Sequence, residues 1–310
     1  ISNYLSSKGK IEKVKVDDLK QQYYFSQLEK EPIALVVDSA CDLPKEIIDR
    51  YHIYQIALPM EINGNQHLDS LTINGDILYD DMKHQGATCY SSQVGQGMFE
   101  SYYQWLLEKY DHVISLHITR NFSGTFDNAL RAAKEVDGKS HPHIDIWDSA
   151  TLSSAYGMIV EALAKQIEEG KSIDFLRSFF ESYRSKVDIW VSVRSLDAMV
   201  KSGRVSSKVH YWVDILGIHP VISMNNDGKA AFGGVAFGFH RCLKKIVRKV
   251  SYRKVKRFQV VHVDASYDAQ RLEKQLSDKL KINFLPSRSV TPVIGVYAGL
   301  GAVGVAVEYE

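Results

Sequence analysis

Short apolar runs followed by polar loops recur in the first half of the chain. The run at residues 33–37 is wholly apolar, the segments at 113–118 and 143–147 repeat the pattern with some polar positions, and each precedes a loop rich in Ser, Thr, Asp or Gly and then a helical pattern. A continuous apolar run is typical of a strand buried on both faces, and repeated strand–loop–helix units predict a parallel sheet. We therefore predict an α/β fold with a Rossmann-like N-terminal domain over residues 32–190.

The second half of the chain has more strands per helix. Strand patterns cover residues 188–193, 219–224, 229–237, 257–264, 290–297 and 302–308, and helical patterns cover 195–201, 240–252 and 267–280. The sequence Asn-Asp-Gly at 226–228 is typical of a hairpin turn. We predict an α+β domain with a mixed or antiparallel sheet over residues 191–310. Residues 1–31 are interpreted as a linker or N-terminal extension.

Composition and charge narrow the class of protein. A chain of 310 residues fits two domains, taking roughly 150 residues for each. The 38 Lys and Arg residues balance 37 Asp and Glu residues, which leaves a formal charge of +1 and argues against a nucleic-acid partner. The three cysteines make no CxxC pair, so we expect free thiols and a cytoplasmic protein. Because the sequence has no run of 18 apolar residues, we expect no stable membrane insertion.

Hydroxyl and carboxylate side chains follow the predicted parallel strands. They occur at Asp38–Ser39, at 119–125 and at Asp148–Ser149, and each group opens a helix. Ligands of open parallel sheets bind at the carboxyl ends of the strands, and helix N-termini favour anions. In Ser123–Gly124–Thr125, two hydroxyls flank a glycine that permits close backbone approach. The alternative for each loop is a simple helix cap, and the same applies to the hydroxyl cluster at 88–93.

Other motifs give weaker signals. Residues 299–304 match the dinucleotide-binding pattern GxGxxG, but only six residues follow them. Because that motif needs a helix and a second strand after it, we interpret these residues as a tight turn before a last strand. The sequence has no P-loop, nucleophile elbow or HExxH, and we expect neither a metal nor a cofactor. His262 is interpreted either as a structural histidine or as a pocket residue. Arg204 follows a helix stop at Gly203 and is either a solvated charge or a contact to a phosphate or a partner.

The loops, in this order, resemble those of the DegV family of bacterial fatty-acid-binding proteins. The resemblance rests on seven short motifs spread over about residues 33–308: DSACDLP at 38–44, SSQ at 91–93, FSGT at 122–125, DS at 148–149, LDAMVKSGR at 196–204, LGIHP at 216–220 and GLG at 299–301. The corresponding family patterns are DSxxDLP, TSQ, LSGT, DS, LxxLxxGGR, LLNIKP and GPG.

This resemblance implies one long-chain fatty acid buried between two domains, with its carboxylate held by hydroxyls and helix N-termini. The residues implied at the carboxylate are Ser91, Ser92, Ser123, Gly124 and Thr125. Those implied behind them or along the pocket are Asp38, Ser39, Gln93, Asp148, Ser149, His262, Tyr297, Gly299 and Gly301. Some family members present the acid to a kinase subunit for acyl-phosphate formation and phospholipid synthesis. The resemblance therefore implies a carrier rather than a catalyst, with Arg204 as a candidate kinase contact.

The sequence departs from the family pattern in ways that bear on the site. Tyr297 stands where the family has a histidine, and the basic segment near 237–240 lacks its leading arginine, which the family uses to meet the kinase. Because the chain begins with Ile and some relatives fuse kinase-like and DegV regions, we interpret residues 1–31 as a linker from an upstream kinase-like domain. The alternative function is an enzyme that uses Ser123 or Asp148 on a small anionic substrate, with His262 as the nearest candidate base.

Overall fold

The computed structural model describes residues 30–205, 218–282 and 284–310. The predicted linker at 1–31 lies outside these ranges except for its last two residues, and so do the first two residues of the motif at 216–220. Among the described residues, no helix combines the length and the apolar content that crossing a bilayer requires.

Thirteen strands and ten α-helices are described in these ranges. The strands are β1 (Glu31–Asp38), β2 (Tyr54–Ile56), β3 (Pro59–Ile62), β4 (Asn65–Leu68), β5 (Cys89–Ser91), β6 (Tyr110–His117), β7 (Ile144–Asp148), β8 (Val187–Ser192), β9 (Ile218–Met224), β10 (Ala230–Phe237), β11 (Val255–His262), β12 (Leu285–Ser289) and β13 (Val303–Tyr309). The helices are α1 (Lys45–Arg50), α2 (Gly75–His84), α3 (Gln96–Leu107), α4 (Thr125–Val136), α5 (Ser153–Glu168), α6 (Ile173–Arg184), α7 (Asp197–Lys201), α8 (Phe239–Val250), α9 (Ser266–Leu280) and α10 (Pro292–Ala298).

A four-stranded parallel sheet forms the N-terminal half, in the order β2-β1-β6-β7. The register pairs Val36 with Ser115 and Val113 with Ile144. Val36, Val37 and Ile114 are fully buried, as expected for strands covered on both faces. The predicted parallel α/β half is confirmed.

A six-stranded mixed sheet forms the second half, in the order β10-β9-β8-β13-β11-β12. Its neighbours are antiparallel except for β11 and β12, and the predicted hairpin joins β9 to β10. The mixed sheet is thus confirmed. The domain boundary predicted at 190 falls inside β8, and the division of the chain into two domains stays a prediction.

Two features differ from the sequence-based expectation. A three-stranded antiparallel sheet, β4-β3-β5, was missed because strands of three or four residues give too few alternating positions. The strand predicted at 290–297 is wrong, since Pro292 to Ala298 form helix α10. A short apolar run does not distinguish a strand from a buried helix, whereas Pro292 is well suited to a first helical turn, where no N–H is needed.

The basic stretch near residue 245 belongs to an amphipathic helix. Helix α8 buries five side chains in the core of the second half, namely Phe239, Cys242, Leu243, Ile246 and Val250. Arg241, Lys244, Arg248 and Lys249 are exposed on its other side. These basic residues therefore form a solvated helix face in this structure.

Candidate functional site

A cavity of about 430 Å³ is lined by residues of both halves of the protein. This volume is within the usual range for small-molecule sites. Most of its wall is apolar and comes from the mixed sheet and from α10, including Ile189, Val191, Ile222, Val261, Val263, Val293, Ile294 and Ala298. Such a wall suits an apolar ligand, because burying hydrocarbon is favourable without any directional contact.

Six of the polar residues that line this wall form one group, and Ser153, Ser223 and His262 also line the cavity. The polar cluster consists of Ser91, Ser92, Gln93, Ser123, Arg204 and Tyr297, all of which line the cavity. Ser92 and Gln93 are exposed, whereas the other four are half-buried. The hydroxyl loops that the sequence singled out at 91–93 and 122–125 therefore meet at a single site.

Ser91 and Tyr297 are joined directly. The Tyr297 hydroxyl oxygen lies 2.9 Å from the Ser91 hydroxyl oxygen and accepts the Ser91 backbone N–H at 3.1 Å. Ser91 ends β5 and Tyr297 lies near the C-terminus of α10, so these bonds connect the small antiparallel sheet to that helix. Both residues line the cavity.

Thr125 stabilises the two loops of the polar cluster through its hydroxyl. Its hydroxyl oxygen is 2.9 Å from the Ser123 hydroxyl oxygen and accepts the backbone N–H of Val94 at 3.3 Å. Thr125 is fully buried and does not line the cavity. The hydroxyl therefore ties the loop at 91–94 to the start of α4 and leaves Ser123 as the group that faces a ligand.

Gly124 allows these two loops to touch. A Cβ atom at Gly124 would lie 1.7 Å from Oε1 of Gln93, far inside contact distance. Only a glycine leaves room for the Gln93 side chain to lie across the backbone here. The Gln93 side chain of the SSQ motif thus packs against the Gly124 backbone of the FSGT motif.

Arg204 supplies a positive charge to the cluster. Its Nε donates to the backbone oxygen of Phe122 at 3.1 Å, and its guanidinium carbon lies 3.9 Å from the centroid of the Tyr297 ring. Sequence reasoning considered this arginine only as a solvated charge or a phosphate or partner contact. Its place within the LDAMVKSGR motif was the available signal for a site role.

The chain is similar in sequence to a known protein family. Residues 32–310 match the family model described as "Uncharacterised protein, DegV family". The chain belongs to the DegV family. A DegV domain-containing protein of Clostridium acetobutylicum is 29% identical over 281 residues, which cover 89% of this chain and 99% of that protein.

Solved DegV structures share the fold. One from Thermus thermophilus, described as a fatty-acid-binding DegV family protein, has a TM-score of 0.81 at 25% identity, and the match covers 90% of this chain and 100% of that one. A DegV from Bacillus subtilis, described as a fatty acid binding protein, has a TM-score of 0.79 at 24% identity, with coverage of 91% and 100%. At 24% identity, the likeness to the Bacillus subtilis structure supports the fold alone.

In the first DegV motif, at 38–44, the side chains of Asp38 and Ser39 have a structural role. Asp38 is fully buried and accepts the backbone N–H of Ile118 at 2.9 Å and that of Ala40 at 3.1 Å, while His117 Nδ1 lies 3.1 Å away. Ser39 accepts the backbone N–H of Leu58 at 3.1 Å. Neither side chain lines the cavity, because both satisfy backbone N–H groups, of Ala40 in their own loop and of Leu58 and Ile118 in other segments.

The DS pair after β7 behaves in the same way. Asp148 accepts the backbone N–H of Ala150 at 2.8 Å and that of Arg120 at 3.4 Å, and burial raises its pKa. Ser149 donates to the backbone oxygen of Thr151 at 3.0 Å. Both residues lie outside the cavity wall, so the structure does not place Asp148 beside Ser123.

The C-terminal DegV motif forms the expected tight turn. Gly299 and Gly301 have φ angles of +78° and +80°, which glycine adopts without strain. The N–H of Gly301 donates to the backbone oxygen of Val263 at 2.8 Å. These glycines connect α10 to β13, and it is the adjacent Ala298 and Ala302 that reach the cavity.

His262 does line the cavity. Its Nδ1 accepts the backbone N–H of Ala265 at 3.3 Å, and burial lowers its pKa. The hydrogen bonds of the Ser123 hydroxyl go to the hydroxyl and the backbone N–H of Thr125 rather than to a histidine. Among the described residues, no group of three His, Cys, Asp or Glu side chains is arranged to hold a metal ion.

Sequence reasoning missed most of the apolar wall. Leu58, Met199 and Met224 line the cavity from three separate segments; Leu58 and Met224 belong to no recognisable motif, and Met199 is not one of the positions that define the motif at 196–204. An apolar side chain in a strand gives the same pattern whether it faces a cavity or a packed core, so no sequence signal separated these residues from the core.

Proposed function

We propose that this DegV protein binds a long-chain fatty acid, with its carboxylate at the polar cluster and its alkyl chain along the apolar wall. The observation that carries the proposal is a mostly apolar cavity of about 430 Å³ whose wall includes the polar cluster. The fatty acid binding named for the Thermus relative supports the same ligand class.

The alkyl chain supplies most of the binding free energy in this proposal. Each buried methylene contributes roughly 0.8 kcal/mol, so a long chain contributes on the order of 10 kcal/mol before the costs of association. The near-zero net charge of the protein fits a ligand that is held mainly by hydrocarbon contact.

The carboxylate is held by hydroxyl donors and one cation. Ser123 and Ser91 present hydroxyls to the cavity, and the Arg204 guanidinium lies beside Tyr297 in the same cluster. Hydrogen bonds from charged donors to a carboxylate are about twice as strong as neutral ones. Arg204 therefore takes a ligand role in this proposal, while its contact with a kinase stays a prediction.

We further propose that the protein is a carrier that presents the acid to a fatty-acid kinase and takes no catalytic part. Ser92 and Gln93 are exposed, which supports access to the carboxylate from outside. Nucleophilic catalysis by Ser123 needs an adjacent base, and the hydrogen bonds of Ser123 to Thr125 give it none. The unpaired thiols of Cys41, Cys89 and Cys242 support a reducing, cytoplasmic compartment.

Organic extraction of the purified protein followed by mass spectrometry tests the ligand class. We expect a long-chain fatty acid in near-stoichiometric amount. The amount of bound fatty acid should be much smaller for Val191→Phe, because the larger side chain occupies part of the cavity. An empty extract together with hydrolase turnover would overturn the carrier proposal. Incubation with a fatty-acid kinase and ATP tests the second step, for which acyl phosphate should form only when the loaded carrier is present.

A further inference from the structure

Helix α10 is attached at both of its ends. Tyr297 near its C-terminus is bonded to Ser91, and the residues before and within its first turn are bonded to the N-terminal half. Between these ends, Val293 and Ile294 line the cavity. The position of this seven-residue helix therefore sets part of the cavity wall.

Asp42 makes the first attachment at the N-terminal end. Its side chain is almost completely buried, and Oδ1 accepts the backbone N–H of Thr291 at 2.8 Å. Oδ2 accepts the hydroxyl of Ser153, the first residue of α5, while Arg288 donates to the Asp42 backbone oxygen. One residue thus joins the loop after β1 to α5, β12 and α10.

Asp69 makes the second attachment. This residue is fully buried, its backbone N–H donates to Leu58, and its Oδ1 accepts the backbone N–H of Val293 at 3.0 Å. Its Oδ2 is sealed from solvent. Asp42 and Asp69 therefore bind two backbone N–H groups at the start of α10, where an α-helix leaves its donors unpaired.

Tyr79 of α2 completes the contact. Its hydroxyl lies 3.0 Å from the backbone oxygen of Val290 and 3.1 Å from that of Thr291. A Cβ atom at Gly295 would lie 2.1 Å from the same phenol oxygen, so the ring packs directly against the helix backbone. The first half of the protein thus holds α10 through three side chains.

The charges around Asp69 are mostly negative. The carboxyl groups of Asp38 and Asp42 and the hydroxyl of Ser39 act on it, and the phenol of Tyr79 faces the same region. The guanidinium of Arg288 acts on Asp42. Burial raises the pKa of Asp69 to about 7, against the Ser39 hydroxyl and the Val293 amide, which lower it. Burial also raises the pKa of Asp42.

We infer that Asp42 and Asp69 are positioning residues of the cavity, which hold α10 in place, and that ionisation of Asp69 loosens this hold. A neutral Asp69 still accepts the Val293 N–H and stays dry at little cost. An ionised Asp69, sealed beside two further carboxyl groups, gains from hydration, which it reaches when the first turn of α10 moves away. The effect on ligand retention rests on the proposed function.

Hydrogen exchange of the full-length, ligand-free protein at pH 6 and pH 8 tests the inference directly. After correction for intrinsic exchange, we expect the protection factors of α10 amides to fall about tenfold between these pH values, within the range that a pKa near 7 allows. In Asp69→Asn, which keeps the acceptor and removes the charge, α10 should be equally protected at both pH values.

The control is Asp188→Asn. Asp188 is another carboxyl whose pKa burial raises, but it faces Arg253 and makes no contact with α10. This variant should keep the wild-type pH dependence. Wild-type protection that does not change with pH, or an Asp69→Asn profile that matches wild type, would overturn the inference. The wild-type profile decides whether the protection of α10 depends on pH, even if Asp69→Asn fails to fold.

A fluorescent polyene fatty acid, cis-parinaric acid, separates this inference from the proposed function. Its dissociation from the wild-type protein should be several-fold faster at pH 8 than at pH 6, and pH-independent in Asp69→Asn. Failure to bind the probe at either pH, together with pH-dependent exchange of α10, would refute fatty-acid binding and leave the role of Asp69 in holding α10 standing.

Discussion

The phenol of Tyr297 contacts Ser91 through two atoms, the backbone nitrogen at 3.1 Å and the hydroxyl oxygen at 2.9 Å. The two residues are 206 positions apart in the chain. The contact places a hydroxyl-bearing loop of the first half against a helix of the second, at the polar cluster. It therefore links the stability of the fold to the geometry of the site.

Tyr297→Phe should lower the free energy of unfolding by about 1 kcal/mol, because one hydroxyl with two partners is lost while the ring remains over Arg204. Chemical denaturation measures the change. Tyr252 is 92% exposed, and Tyr252→Phe should leave stability unaltered. Equal stability of both variants and the wild type would show that the contact contributes nothing to folding.

Ser123→Ala should weaken fatty-acid binding by about 1–3 kcal/mol, since a carboxylate loses one of its donors. Titration with a fluorescent fatty acid gives the affinity. Ser101 is an exposed serine whose hydroxyl donates only within its own helix, and Ser101→Ala is the matched control. Unchanged affinity for Ser123→Ala would remove this hydroxyl from the site.

Gly124→Ala should weaken fatty-acid binding about tenfold without unfolding the protein, because the flexible end of Gln93 must leave the position that Cβ would occupy. The same change in a Gln93→Ala background should have a much smaller effect, since the clash is then absent. Gly97, with open space around it, provides the control Gly97→Ala. Additive effects of the two substitutions would contradict a clash through Gln93.

Acid stability should depend on Asp145. Burial alone would raise the pKa of this carboxyl, but hydrogen bonds from His112 and Arg177 lower it to about 2 from its ordinary 3.8. Because the folded-state pKa is the lower one, this stabilisation is fully present above about pH 4 and is lost as the pH falls towards 2. Its size is about 1–2 kcal/mol, allowing for the half-exposed guanidinium.

Denaturation of Asp145→Asn between pH 2 and pH 6 measures this contribution. The variant should be less stable than wild type at pH 6 and should approach it near pH 2. Asp174 also pairs with Arg177 but is 87% exposed, so Asp174→Asn should keep the wild-type acid profile. Parallel profiles of Asp145→Asn and wild type would contradict the assignment.

The parallel half of the fold was predictable because its strands are covered on both faces. Residues 33–37 form a continuous apolar run and 113–118 a largely apolar one, and the loops after them carry the polar residues that end a strand and start a helix. Helix α10 was not predictable in the same way, because its apolar run is too short to show a helical period. Pro292, which suits a first helical turn, was the available signal for the correct element.

The polar part of the site was also accessible from the sequence, since hydroxyl loops converge where strands end. The same reasoning does not say which way each side chain turns. Asp38 and Asp148 turn inward because backbone N–H groups of their own loops and of the loop after β6 need acceptors, whereas Ser91 and Ser123 line the cavity. The convergence of Arg204 on Tyr297 depends on tertiary packing that no local pattern contains.

The division of the cavity wall between two sheets has a consequence for how ligand preference can change. The groups proposed for the carboxylate lie mainly in loops of the first half, whereas the space for the tail is bounded by strands such as β8, β9 and β11. Under the proposed function, substitutions in the mixed sheet would alter the accepted chain length and leave head-group chemistry intact. Natural variation could therefore adjust tail selectivity and carboxylate recognition independently, as two separate modules of one pocket.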